Sequence, residues 1–574
     1  MNRRSSNEGS KTDEQSLAGR KPIGIRDLLD LAWPFRGPLS ILVILAIASA
    51  GLTLAVPWFA GQLLGGLVGG VAVHRDFIVA VLLLCLTGTA IFNFGIAFLS
   101  ARIGSRLLAD LRQQVFEHVQ YLPLGFHESR GKGDTLALMT YEIRRLSDFL
   151  TQTLVVLPAR VMMTVGAVVL MFRIDAQLAL FVPILIPIFY LILKLLGRSL
   201  RGLAGSIQHA EAQIVEIAEE SLAMLPATKA FTRERIASLR YHEATDFAAE
   251  LASREGRIYA LLEPLIGLLA AVAALFVLIL AGHGIETGSL SPQGLFSFLF
   301  YSALLTRPVS ALAHVYGQTQ SARGTLARLR EVLDQPVENL APRGKHIARA
   351  KGAIRFEAVE FAYPGREDVL TGVTLDIEPG EILALVGANG AGKTAMINLL
   401  LRYYEPNGGA ILIDGKDIAT LDVAAVRRQV GLVPQSPLLF NGTIRDNISF
   451  GAHDPSPAVI DKAARIAQAA EFIAGLRLGM DTVIGDAGVR LSGGQRQRIS
   501  LARALIKDPP ILVFDEATSM FDDEGERDFI ASSAEALAGR TVIVVTHRPA
   551  TLALADRIVT LEGGTIVERM SGRS

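Results

Sequence analysis

The chain has 574 residues, half of them hydrophobic, with 56 basic and 56 acidic side chains. That length exceeds what one hydrophobic core holds and predicts two or more domains. The zero charge balance argues against a nucleic-acid partner, and the single cysteine, Cys85, excludes an intrachain disulfide.

Residues 1–22 are polar and mixed in charge, with no apolar stretch, so they read as a disordered cytoplasmic tail and not as a secretory signal. Residues 23–36 carry Leu28, Leu29, Leu31, Trp33 and Phe35 in an amphipathic pattern. This predicts an interfacial elbow helix lying along a membrane surface. Residues 37–325 form the next expected domain. They hold six apolar runs near 39–61, 77–99, 150–172, 177–197, 259–282 and 292–315. Each is long enough to cross a bilayer, which needs about 20 residues. The short connections carry only Arg75 and Arg173, whereas the long ones, 100–149 and 198–258, are rich in arginine. By the positive-inside tendency the long connections and both termini are cytoplasmic. Among the charges inside the runs are Arg160, Glu263 and Arg307. Charges at such depth cost about 2.5–3.5 kcal/mol and usually face a cavity or a partner, so all three are candidate substrate-cavity residues. Glu263 and Arg307 lie at similar depth and would pair. Arg160 lies nearer the midplane and would favour a substrate with an anionic group.

Residues 326–349 read as a linker containing Pro336 and Pro342. From 350 to 574, short apolar runs alternate with helical segments, as in an α/β domain. Ile382–Val386, Ile511–Phe514 and Val542–Val545 are continuous apolar runs, which suits strands buried on both faces. The first runs into Gly387-Ala388-Asn389-Gly390-Ala391-Gly392-Lys393-Thr394, followed by Ala395. This is the phosphate-loop pattern: glycines let backbone N–H groups close around phosphate, and the helix N-terminus favours negative charge. Lys393 would reach the β- and γ-phosphates and Thr394 would ligate Mg²⁺. The second run ends in Asp515 and Glu516, an aspartate placed to hold Mg²⁺ beside a glutamate placed to deprotonate water. Leu491-Ser492-Gly493-Gly494-Gln495 opens another helix and offers a second anion cradle. One nucleotide does not need two cradles from one chain, so the second is expected to close on ATP held by another copy.

With these motifs the chain resembles an ATP-binding-cassette (ABC) exporter of the half-transporter type, related to bacterial multidrug and lipid exporters. The resemblance begins near residue 24 and covers nearly all of the rest. It implies a membrane α-helical bundle of six helices in the domain-swapped exporter fold, joined to an α/β P-loop ATPase domain. It also implies further roles. Tyr363 matches the aromatic residue that stacks on adenine. Gln435 matches the glutamine that touches Mg²⁺ and the water. Asp522 matches the aspartate coupling the two sites, and His547 the histidine contacting the γ-phosphate. Residues 126–130 and 219–224 resemble the two coupling segments, the second of which docks on the partner in the family.

Four features depart from the family pattern. Ser519-Met520-Phe521 precedes Asp522 where a small residue and leucine are usual. Val483 replaces a glutamate, and Tyr141-Glu142 replaces Asn-Asp. A last helix is not expected after Glu568. The reading is an ATP- and Mg²⁺-dependent exporter in a bacterial inner membrane. It is expected to act as a homodimer on an amphipathic or hydrophobic drug, lipid, peptide or conjugate. Half of a heterodimeric exporter and an ATP-gated channel or regulator are the alternatives. A soluble ATPase is excluded by six runs of spanning length with one-sided charge.

Overall fold

The computed structural model describes residues 33–69, 74–130, 132–180, 209–286, 291–338, 347–485, 488–518 and 523–571, with scattered positions from 202 to 207. The expected tail, most of the elbow helix and nearly all of the fourth run lie outside the described residues. The chain divides into two compact units. One comprises Met1–Gln120 and Arg130–Gln335, the other Tyr121–Ser129 and Pro336–Ser574.

The first unit is helical. Its main elements are α1 (Arg36–Gly69), α2 (Arg75–Gln120), α3 (Leu154–Ile174), α4 (Glu234–Glu286) and α5 (Pro292–Leu333). Among the described residues, helices covering Trp33–Leu67, Arg75–Gln120 and Thr135–Ile174 are long and apolar enough to cross a membrane. The fifth and sixth apolar runs fall within α4 and α5. At 1.5 Å per residue, the 46 residues of α2 and the 53 of α4 span about 69 and about 80 Å. That is more than twice the hydrocarbon thickness of about 30 Å, so both helices must project well beyond it.

Small residues let these helices approach closely, the usual device where lipid removes the hydrophobic drive. A Cβ on Gly61 would sit 1.9 Å from Ser297 Oγ, and one on Gly65 would sit 2.5 Å from Gln293 Cα. Phe298 and Tyr301 are fully buried against Leu54, Ala167 and Met171, and the Tyr301 hydroxyl donates to Leu54 O at 2.8 Å. Leu83, Leu84, Phe94 and Phe98 on α2 are exposed, as a lipid-facing side requires. The helix leading into α3 contains two π-helical turns, Leu138–Glu142 and Phe149–Thr153. Arg112 donates to the carbonyls of Met139 and Thr140 in the first of them. Such turns free carbonyls from the regular ladder, and here a cation collects two of them.

The second unit is α/β. Strands β1 (Ile354–Ala362), β2 (Asp368–Ile377), β4 (Gly408–Ile413) and β5 (Lys416–Asp417) form an antiparallel sheet in the order β2-β1-β4-β5. The larger sheet runs β12-β11-β3-β10-β9-β6. Its strands are β3 (Ile382–Val386), β6 (Val430–Val433), β9 (Ile511–Asp515), β10 (Thr541–Val545), β11 (Arg557–Glu562) and β12 (Thr565–Ser571), while β7 (Gly442–Thr443) and β8 (Val483–Ile484) pair with each other. The three strands expected to be buried on both faces, β3, β10 and β9, are adjacent and parallel. Their alternation explains the double burial. Ile511, Val513, Ile543 and Val545 point into one hydrophobic core. Leu512, Phe514, Val542 and Val544 point into another. Successive side chains face opposite sides of a sheet, so two strands wall two cores.

Candidate active site

The loop after β3 turns sharply at glycines. Gly387, Gly390 and Gly392 all have positive φ, +154°, +85° and +108°. A Cβ on Gly387 would lie 2.2 Å from the carbonyl oxygen of Leu561. Only glycine allows this backbone approach. Helix α6 (Lys393–Leu400) starts directly behind the loop, with Gly392 as its N-cap. Lys393 is nearly buried and donates to the carbonyls of Gly387 and Ala388 at 2.7 and 2.9 Å. Thr394 is exposed at the helix start, and Ala395 packs into the first core.

Strand β9 delivers the acids. Asp515 is half-buried, and burial together with the neighbouring Glu516 charge pushes its carboxyl above the ordinary range, against the pull of Lys393. Glu516 adopts a left-handed backbone, φ +47°, and its N–H donates to Val545 O at 2.9 Å. A non-glycine residue held at positive φ is strained, and such strain concentrates at functional sites. Gln435 Nε2 donates to Glu516 Oε2 at 2.5 Å. His547 is exposed just beyond β10, whose last residue, Val545, is in register with Asp515. Lys393, Asp515, Glu516 and Gln435 therefore converge, with His547 on the adjacent strand end. Asp522 lies outside the described residues.

Tyr363 accepts from Asn398 Nδ2 on α6 at 3.2 Å. It also makes edge contacts with Phe361 and Tyr404, at centroid distances of 4.8 and 5.1 Å. This ties the aromatic platform to the helix behind the phosphate loop. The short helix Leu124–Ser129 sits on the same platform. The Tyr404 hydroxyl donates to Glu128, and a Cβ on Gly125 would lie 2.9 Å from the Tyr404 ring. Glu338 fixes the base of this arrangement. It accepts two bonds from Arg427, at 2.7 and 2.9 Å, and its N–H donates to Tyr121 O at 2.7 Å.

The second cradle stands on the second core. Ser492 caps α7 (Gly493–Leu505): its hydroxyl accepts from Gln495 N–H, and the Gln495 side chain accepts from Ser492 N–H. This reciprocal capping box fixes the helix entry and leaves the serine proton available to a ligand. Gly494 follows inside the first turn. Ile499, Leu501, Ala502, Ala504 and Leu505 anchor α7 in that core. Fully buried Gln497 donates to the carbonyls of Pro434 and Gln435 at 3.3 and 3.1 Å. The helix of the second cradle thus supports the glutamine of the first. Sequence reasoning missed Asn398, Tyr404 and Gln497, because none stands in a motif and each acts through a long-range contact. In the first unit, Arg160 is half-buried on α3 beside Ala159, which packs with Ala46 and Ala50. Glu263 and Arg307 lie in α4 and α5, and the pairing expected of their side chains falls outside the described residues.

Residues 39–309 match the family described as ABC transporter transmembrane region, and residues 370–519 match the family described as ABC transporter. The chain is 34% identical to an ATP-dependent lipid A-core flippase of Alkalilimnicola ehrlichii, over 92% of this chain and 90% of the relative. It is also 34% identical to one of Thiobacillus denitrificans, over 87% of each chain. Among solved structures, a bacterial Atm1-family ABC exporter with ATP bound superposes with a TM-score of 0.84 at 27% identity, covering 94% of this chain and 95% of that one.

Proposed function

The chain belongs to the ABC exporters, with a membrane-spanning region and an ATPase in one polypeptide, and on that premise we propose how its two cradles share the work. The protein is an ABC transport ATPase that drives export of an amphipathic substrate across a membrane. Two copies form a homodimer in a bacterial inner membrane, with the nucleotide domains and termini in the cytoplasm. Each ATP is held by the phosphate loop of one copy and by Ser492, Gly493, Gly494 and Gln495 of the other. The observation that carries this reading is the placement of the two anion cradles on two separate hydrophobic cores of one unit.

Within one site, Tyr363 stacks on adenine. The loop from Gly387 to Thr394 wraps the phosphates, and Lys393 neutralises their β/γ charge. Thr394, Gln435 and Asp515 offer hydroxyl, amide and carboxylate oxygens, a hard donor set that fits Mg²⁺. The raised proton affinity of Asp515 supports this fit, because a cation there would relieve the repulsion from Glu516. Held by these residues, Mg²⁺ would supply positive charge to offset the charge that develops on the phosphates. Glu516 takes the proton of the attacking water, Gln435 orients that water, and His547 contacts the γ-phosphate. Asp522 couples the two sites. Binding of ATP favours the closed dimer and so turns the cavity outward by population shift.

The relatives' designation as lipid A-core flippases supports a lipid as the cargo, and Arg160, a cation at membrane depth, favours one with anionic groups. Sharing of sites is tested with mixed dimers of one Lys393→Ala chain and one Ser492→Arg chain. Shared sites concentrate both defects in one site and leave the other intact, so isolated mixed dimers exceed either parent in ATPase rate. A mixed dimer no more active than its parents overturns the assignment.

A further inference from the structure

Helix α8 (Asp523–Leu537) follows the catalytic strand and carries a buried carboxylate that the mechanism above does not use. Glu526 is 2% exposed. Its Oε2 accepts from Arg548 Nη1 at 3.3 Å, and its Oε1 accepts from Thr518 Oγ1 at 3.3 Å and from the Thr551 hydroxyl. The two threonine hydroxyls are 3.3 Å apart. These partners come from both chemistry-bearing segments. Thr518 lies two residues beyond Glu516. Arg548 directly follows His547, and Thr551 belongs to the helix α9 (Pro549–Leu552) that continues from it.

The β9–β10 ladder ends at the Asp515–Val545 pair, with one further bond from Glu516 N–H to Val545 O. Beyond that point no strand pairing holds residues 516–518 beside residues 546–548. A carboxylate removed from water is costly unless charge and hydrogen bonds compensate it. Here one arginine and two hydroxyls do so, and they bind the two segments to a single helix.

We propose that Glu526 is a positioning residue for hydrolysis. Through Thr518 it holds the segment of Glu516, and through Arg548 and Thr551 it holds the segment of His547. It thereby sets the separation of the two groups without touching nucleotide. The inference rests on the roles given above to Glu516 and His547. A positioning defect of this kind lowers the rate of chemistry more than it lowers affinity, because the phosphate loop and Tyr363 are anchored elsewhere.

The test uses the full-length protein in lipid nanodiscs, with Mg²⁺-ATP hydrolysis and thermal unfolding measured together. Glu526→Gln keeps an acceptor for the hydroxyls and loses the ion pair with Arg548. We expect kcat to fall at least about tenfold while KM for ATP stays within about twofold. Thr551→Val removes one hydroxyl from the same carboxylate, and its kcat should fall about threefold to tenfold with the same KM. A Glu526→Gln protein with kcat within twofold of wild type overturns the proposal, as does one whose KM rises as far as kcat falls. If Glu526→Gln does not fold, the same split in Thr551→Val decides. Glu516→Gln serves as the control. Wild-type turnover in that variant defeats the catalytic assignment itself. An inactive Glu516→Gln beside an unaffected Glu526→Gln defeats only the role of Glu526.

Discussion

Glu516 directly follows a strand paired at every residue, and it holds a left-handed backbone. The turn separates its side chain from the continuing line of β9, and Gln435 meets it there. Replacing the carboxylate by an amide preserves that contact and removes the proton acceptor. Glu516→Gln should therefore bind ATP normally and hydrolyse it about 10²–10⁴-fold more slowly, measured as single-turnover phosphate release. Asp515 gives a prediction of opposite sign for stability. Its proton affinity is raised in the folded state by burial and by Glu516. A raised carboxyl contributes stability that is full below its unfolded pKa and is lost as pH rises through the folded one. At neutral pH without Mg²⁺, Asp515→Asn should raise the unfolding temperature while abolishing Mg²⁺-dependent hydrolysis. An unchanged or lowered unfolding temperature would contradict the burial argument. Residues of this kind were legible in the sequence because their chemistry needs fixed neighbours along the chain. Lys393 must follow glycines, and paired acids must end a buried strand. Gln497 and Glu526 were not legible, since a buried polar side chain is identified only by the distant carbonyls and hydroxyls that satisfy it.

At the level of elements, the continuous apolar runs at 382–386, 511–514 and 542–545 predicted strands buried on both faces. The reason is now visible: β9 and β10 wall two cores at once. The helix starts at Lys393 and Gly493 were equally readable, because the glycine loop and the capping box are local patterns. The four-stranded sheet was not readable, since its pairing is antiparallel between distant segments with several register shifts. Contact between the phosphate loop and β11 is another long-range feature. It makes Gly387→Ala a sharp test, because the new methyl group meets the Leu561 carbonyl at 2.2 Å and φ is +154°. The loop or the strand must move. Loss of about 1–3 kcal/mol of stability is expected for strain of this type, together with loss of ATP binding, checked by thermal unfolding with and without nucleotide. Unchanged nucleotide affinity would show that the close approach is dispensable.

For the whole molecule, the sequence conveyed the class of architecture through hydropathy and charge asymmetry, which act over tens of residues and survive any detail of packing. It conveyed substrate chemistry poorly, since a cavity is defined by which helix faces meet, and apolar runs do not encode that. Arg160 is the one described charge among the three candidates. Arg160→Ala should remove the stimulation of ATPase activity by an anionic lipid while leaving basal hydrolysis and expression intact, measured in vesicles of defined composition. Retained stimulation would exclude it from recognition. The path of the chain between its two units carries a consequence for biogenesis. Tyr121–Ser129 belongs with the ATPase unit although the residues on either side belong to the membrane unit. During synthesis this segment emerges long before the Tyr404 ring and the Arg427–Glu338 pair that receive it. Since domains mature in order from the N-terminus, it must wait while residues 130–404, about half the protein, are made. The last-made unit therefore completes its surface only by capturing a piece of the first-made half. An ATPase fragment beginning at Pro336 would be released with its aromatic platform uncovered.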